Sequence, residues 1–309
     1  MNLNFKKTII GLLVIAALIL VPKGPRILSL IRANMNTDLR DRLITSSDVI
    51  EHFDDTEMAK QSSVVKTDGP YKLWTTPIGE FWMPENETVS TVGEMAEIIE
   101  GNGTYYFKGR TVRPGDVVID CGAHLGSFIR KSLQLGASLV IGIEPSSVKV
   151  ESMRRTFEKE IAAGKVRILQ LAVWDKDDKL WLPGPANMAN SLIDQSDEKR
   201  KEAGEWVKVT TLDKIIAAEK LEKLDFLKMD IEGAETNALK GSVESIKKWR
   251  PFLGIAVEHT DDLTQNSRNV LKVVEDMNLG YNHGFGRYGK LTSFKAYTPF
   301  EIFFFQEKL

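Results

Sequence analysis

Cysteine is almost missing from this chain: Cys121 stands alone among 309 residues. One thiol excludes an intrachain disulfide and a thiolate metal cluster, and it fits a reducing compartment without proving one. A charge excess of either sign is missing too. The formal net charge of −2 lacks the basic bias of a nucleic-acid binder, so no nucleic-acid partner is expected. Internal repeats and low-complexity tracts are absent, which excludes a repeat array. What is present is ordinary for a globular chain, with 42% hydrophobic and 27% charged residues. The length suits one sizeable domain plus an appendage.

Long apolar runs are lacking as well, with one partial exception. Lys6 and Lys7 precede an uncharged stretch from Thr8 to Val21, about 14 residues, shorter than the ~20 that a full membrane span takes. Three readings compete: a short signal-anchor, a cleaved secretory signal and a buried helix. The Leu-Ile-Leu-Val-Pro ending lacks the small residues of a cleavage site, and no polar face marks a soluble core helix. A membrane anchor over residues 1–23 is therefore expected, thinned or snorkelled at its ends by the flanking lysines. Lys23, Arg26, Arg32, Arg40 and Arg42 outweigh Lys6, Lys7 and the amino terminus, which favours a single-pass anchor with a cytosolic main domain. Residues 24–63 read as a charged helical stalk and residues 64–309 as the domain.

The domain is organised around the stretch from Val117 to Phe128. Val117-Val118-Ile119 is of buried-strand type and ends in Asp120; a loop holding Gly122 and Gly126 follows, then an amphipathic run. Strand, tight turn and helix start mark the place where an α/β sheet receives a ligand. The two glycines are expected to let backbone approach that ligand where a Cβ would obstruct it. The next apolar run, Leu139 to Ile143, ends in Glu144, and a carboxylate at that strand tip can accept both hydroxyls of a ribose. A nucleoside-containing ligand is implied.

Strand and helix patterns then alternate, the signature of a doubly wound parallel sheet. Val166 to Leu171 reads as a third strand, Leu224 to Asp230 as a fourth and Phe252 to Val257 as a fifth, with Glu301 to Phe305 closing the sheet. Ser146 or Ser147 caps a helix running to about Ala163. Upstream, the aromatic run from Val64 to Pro84 suggests one or two short strands, and packing explains it better than a substrate cage. The polar run from about 183 to 204 is too long for a plain connection and reads as a lid or a substrate contact.

Gly122, Glu144, Asp230, Glu232, Glu258 and His259 all fall at or just past the C-terminal ends of predicted parallel strands, the edge that forms the ligand crevice of an open α/β sheet. A nicotinamide dinucleotide fits poorly there. Its loop reads Gly-x-Gly-x-x-Gly, whereas here His124 takes the place of the middle glycine and Asp120 would repel a pyrophosphate. S-adenosylmethionine (SAM) fits better: its ribose suits Glu144, its ammonium suits acids, and its adenine could be read by backbone near Ala172 and Val173. A hydroxyl acceptor would lose its proton to a carboxylate or a histidine, or with help from a metal. Asp230 is the first candidate, with Glu232 and His259 beside it. A divalent metal shared by Asp230 and Glu232 is the weaker alternative, because carboxylate pairs serve equally as bases and anchors.

Two runs resemble a known family. Val118-Ile119-Asp120-Cys121-Gly122-Ala123-His124-Leu125-Gly126 and Leu227-Lys228-Met229-Asp230-Ile231-Glu232-Gly233-Ala234-Glu235 look like the FkbM family of methyltransferases, and the likeness takes in Thr211-Leu212-Asp213. It implies a class I (Rossmann-like) methyltransferase fold, a mostly parallel seven-stranded sheet with helices on both faces. SAM would be the donor, and the usual acceptor is an oxygen of a sugar, polyketide or other small metabolite. Carried over by motif, Asp120, Gly122, Ala123 and Gly126 would bind the donor with Glu144 on its ribose. Asp230, Glu232 and Glu235 would lie at the reacting side, facing one crevice. His124 departs from the asparagine common in the family but keeps one hydrogen bond to donate.

The expectation is a membrane-anchored, SAM-dependent O-methyltransferase acting on a small-molecule, sugar or lipid-linked acceptor. Its rival is a non-catalytic module that keeps the donor pocket as a scaffold at a membrane.

Overall fold

The computed structural model describes residues 60–100, 105–183, 204–257, 263–286, 288–291, 296–299 and 301–306. The expected anchor over 1–23, nearly all of the stalk, most of the lid, Glu258 and His259 fall outside those residues.

A seven-stranded sheet forms the centre. In chain order its strands are β4 (Val117–Cys121), β5 (Leu139–Ile143), β6 (Val166–Leu169), β10 (Phe226–Met229), β11 (Phe252–Ala256), β12 (Asn282–Phe285) and β15 (Glu301–Phe305). Their spatial order is β12-β15-β11-β10-β4-β5-β6. Neighbours from β11 through β6 are parallel, while β15 runs antiparallel to both β11 and β12. The last strand therefore does not close an edge: it fills the interior, and β12, which carries His283, is the edge.

From β4 the chain steps outward to β5 and β6, then returns to lay β10 and β11 on the other flank. The junction between β4 and β10 is thus the point where strand order reverses, and a crevice opens beyond the strand ends there. Both faces of the sheet are covered, so its strands are apolar almost throughout. One face buries Ile119, Ile141, Leu227 and Leu253 against Ile215 and Ile216 of α5 (Leu212–Ala218), Leu239 of α6 (Glu235–Lys240), Ile246 of α7 (Val243–Trp249) and Val270 of α8 (Leu263–Asp276). The other buries Val118, Val140, Phe226 and Phe252 against Val92 and Met95 of α1 (Val89–Glu100), Phe128 of α2 (Ser127–Gln134) and Met153 of α3 (Ser147–Thr156). A short α4 (Glu158–Ala162) continues α3 after a break at Phe157, so the single helix expected to Ala163 is two.

Val64 to Pro84 folds as a three-stranded antiparallel meander: β1 (Ser63–Asp68), β2 (Tyr71–Thr76) and β3 (Gly79–Pro84). Its aromatics pack. Phe81 is buried, and the Arg155 guanidinium of α3 sits 4.4 Å from the Tyr71 ring centre and 5.3 Å from that of Trp82. A third sheet joins β7 (Ala172–Val173), β8 (Asp178–Pro183) and β9 (Gly204–Thr210), and the lid reading belongs to the segment between β8 and β9. A separate ribbon pairs β13 (Tyr288–Leu291) with β14 (Ala296–Pro299).

Candidate functional site

A cavity of about 290 Å³ opens at the β4/β10 junction. It is lined by Gly122, Ala123, His124, Glu144, Ala172, Val173, Asp230 and Glu232, all expected from sequence, together with Glu94, Met95, Lys149 and Lys228, which were not. Asp120 and Gly126 lie outside the lining. Glu235 does too.

The loop after β4 folds back on its neighbour. The amides of Gly122 and Ala123 donate to the Ile143 carbonyl at 2.9 and 3.1 Å, so the turn is tied to the tip of β5. Both loop glycines have positive φ, +80° at Gly122 and +85° at Gly126, the left-handed region that glycine enters without a steric penalty. Packing within the protein also requires the absence of their side chains. A Cβ on Gly122 would lie 1.8 Å from the Asp230 carbonyl oxygen, and one on Gly126 would lie 2.3 Å from the Phe157 ring. His124 also has positive φ, +53°. Histidine and asparagine are among the residues that tolerate that conformation, which explains how the one substitutes for the other here.

Glu144 is buried at the tip of β5 and lines the cavity. One of its oxygens accepts the His124 amide at 3.0 Å and the other the Ser146 amide at 3.0 Å. A carboxylate has about four acceptor positions, so two backbone bonds fix its orientation and leave capacity for two ligand hydroxyls. Burial pushes its pKa up, while Lys149 and the two amides pull it back down. Burial, Lys149 and Lys228 together hold the half-buried His124 well below the usual imidazole value, so its ring is neutral.

At the other wall, Asp230 follows β10 and accepts the Tyr105 hydroxyl at 2.7 Å. The following helix α6 is not capped by it: the N-cap position is Ala234, with no side-chain cap bond. The turn between them is unusual, with φ of +58° at Glu232 and +94° at Gly233. Glu235 holds it. Its buried Oε1 accepts the Ile231 amide at 2.9 Å and the Gly233 amide at 3.3 Å. Glu235 therefore folds back on the turn instead of facing the crevice. Among the described residues no three His, Cys, Asp or Glu side chains converge to hold a metal ion.

Lys228 is the main residue that sequence reasoning left without a role. The parallel register sets it beside Asp120, both on the face that buries Val118 and Phe226. Its Nζ lies 2.8 Å from Asp120 Oδ1 and donates to the Gly122 carbonyl at 2.8 Å. Asp230 Oδ2 is 3.9 Å away and the Tyr105 ring centre 5.4 Å. Burial lowers the ammonium's pKa, but Asp120 and Asp230 pull it above its ordinary value, so Lys228 stays charged. Burial pushes the Asp120 carboxyl up against the pull of Lys228. A lysine inside the apolar run Phe226–Met229 was a visible signal. Tyr105, in a run of three aromatics, offered none.

The family described as "Methyltransferase FkbM domain" matches residues 120–285. This chain belongs to that family. The FkbM match covers the loop after β4, Glu144, Lys228 and Asp230, while Tyr105 and the α1 wall of the cavity precede it. Among solved structures, the chain is similar to the FkbM methyltransferase from Methylobacillus flagellatus KT, at 19% identity and a TM-score of 0.45, over 68% of this chain and 48% of that one. It is also similar to precorrin-6y C5,15-methyltransferase from Geobacter metallireducens GS-15, at 12% identity and a TM-score of 0.38, over 73% of this chain and 95% of that one. A third is the O-methyltransferase from Bacillus cereus in complex with SAH, at 12% identity and a TM-score of 0.38, over 62% of this chain and 74% of that one. The chain thus spans about half the length of the FkbM neighbour. No curated protein matches it in sequence.

Proposed function

We propose that this protein transfers a methyl group from SAM to a hydroxyl oxygen of a small-molecule, sugar or lipid-linked acceptor. One observation carries the donor reading. Glu144, oriented by two backbone amides, faces the same cavity as Asp230 across the point where strand order reverses. A carboxylate for the ribose and another for the acceptor's proton, both lining a single cleft, support this reading. Glu94, Glu144, Asp230 and Glu232 outnumber Lys149 and Lys228 along the lining, which suits a donor carrying a sulfonium and an ammonium.

SAM, when bound, supplies a methyl group activated by positive sulfur. The chain's own residues supply the rest. Glu144 would accept the ribose hydroxyls, Ala172 and Val173 would border the adenine, and the loop from Gly122 to His124 would contribute backbone. Asp230, already fixed by the Tyr105 hydroxyl, would accept the proton of the acceptor hydroxyl as the acceptor oxygen bonds to the methyl carbon and the carbon–sulfur bond breaks, its electron pair staying on the departing sulfur. Positioning supplies much of the rate in such an in-line displacement. Membrane attachment through residues 1–23, bringing this site to a lipid-linked acceptor with the catalytic domain in the cytosol, is part of the proposal and rests on the sequence alone. Within the described residues, no helix is long and apolar enough to cross a membrane.

The test is transfer of labelled methyl from SAM by the full-length protein to a panel of hydroxylated sugars, phenols and glycolipids. Label in an ether that resists base, and its loss in Asp230→Asn, is the expected result. Label recovered on nitrogen or carbon contradicts O-methylation.

A further inference from the structure

The mechanism above leaves a buried lysine at the cavity unused. Lys228 is 3% exposed and lines the cavity, yet an ammonium has only three N–H groups to give. Asp120 takes one and the Gly122 carbonyl a second, both at 2.8 Å. The remaining side of the ammonium is shared between Asp230 Oδ2 at 3.9 Å and the face of the Tyr105 ring at 5.4 Å. The protein itself therefore occupies this cation.

We propose that Lys228 is a positioning residue that locks the donor-binding turn of β4 to the reacting tip of β10. It rests on the SAM reading of the cavity. The Gly122 carbonyl belongs to the same turn whose amides are tied to Ile143. The opposite side of Gly122 already abuts the Asp230 backbone, where a Cβ would meet the carbonyl oxygen at 1.8 Å. Lys228 thus closes a ring: the Gly122 turn, the Asp120 carboxylate, and Asp230, whose Oδ2 faces Lys228 and also accepts the Tyr105 hydroxyl at 2.7 Å. A neutral, unbranched side chain of similar size at this position would fill most of the space but release the turn. A bare Asp120 would then be buried without a counter-charge, which is costly to stability independently of any ligand. The two effects can be separated, because neutralising both members of the pair removes the stability cost and leaves the turn unpinned.

The experiment compares the full-length wild type, Lys228→Met and the double variant Asp120→Asn/Lys228→Met by thermal unfolding and calorimetric titration with SAM. Amide hydrogen exchange is followed in the ligand-free proteins. Lys228→Met is expected to lower Tm, to raise the SAM Kd at least tenfold, and to speed exchange at residues 122–126 while exchange in α8 stays unchanged. The double variant is expected to regain most of the lost Tm yet keep the weak binding and the fast-exchanging turn. Should Lys228→Met fail to fold, the double variant carries the comparison. A SAM Kd within threefold of wild type in a folded variant, or exchange at 122–126 equal to wild type, overturns the positioning role. Failure of the wild type to bind SAM overturns the donor reading instead.

Discussion

His124 and Gly122 show what single positions contribute. His124 has a folded-state pKa well below the ordinary value of 6.5, so the unfolded chain takes up a proton that the folded chain refuses. Its contribution to stability is full above pH 6.5 and is lost as pH falls below that value toward the folded pKa. Thermal melts at pH 7.5 and 5.5 should therefore show a smaller acid-induced drop in Tm for His124→Asn, whose side chain also tolerates positive φ, than for the wild type. Gly122→Ala should destabilise the fold by roughly 2–5 kcal/mol, from a left-handed alanine plus an overpacked contact, read from urea denaturation. The acids at the strand tips were legible in the sequence because Asp120, Glu144 and Asp230 interrupt apolar runs at the edge where ligands bind. The packing constraint on Gly122 was not legible, since the Asp230 carbonyl that crowds it comes from a segment more than a hundred residues away. Tyr105 was hidden for the same cause: its partner Asp230 is 125 residues on.

At the scale of elements, the turn between β10 and α6 takes two consecutive residues, Glu232 and Gly233, to positive φ. Glu235 is the group that holds it. Glu235→Ala leaves the Ile231 and Gly233 amides without their acceptor, and a loss of about 1–3 kcal/mol per unsatisfied buried group is expected. Urea unfolding of the variant checks this figure, and methyl transfer should fall further than stability does, because Asp230 and Glu232 ride on the same turn. Carry-over by motif put Glu235 at the reacting side, facing the crevice. The helix starts at Glu235 itself, and a residue in the first turn can reach back to amides that have no partner within the helix. Thr211-Leu212-Asp213 turns out to be helix grammar as well. Thr211 caps α5 by accepting the Lys214 amide at 3.3 Å, and Asp213 accepts the Glu244 and Ser245 amides at the start of α7 at 3.1 and 2.8 Å.

Across the whole molecule, alternation of strand and helix was enough to read the doubly wound sheet, because buried parallel strands are apolar runs of recognisable length. It did not reveal that the last strand enters between β11 and β12, since strand order depends on long-range pairing. All five residues of β15 are buried, although the strand lies beyond the family match that ends at residue 285. A chain ending at Phe285 should therefore lose cooperative thermal unfolding and become rapidly cleaved by chymotrypsin. The claim on which the rest depends is that the cleft between β4 and β10 holds SAM through Glu144. Calorimetric titration of the full-length protein with SAM, beside Glu144→Gln, tests it most directly. Binding by the wild type, weakened in the variant by roughly 1–3 kcal/mol as a charged acceptor is lost, is the expected result. A folded wild type that binds no SAM, or a Glu144→Gln variant that binds as tightly, would contradict it.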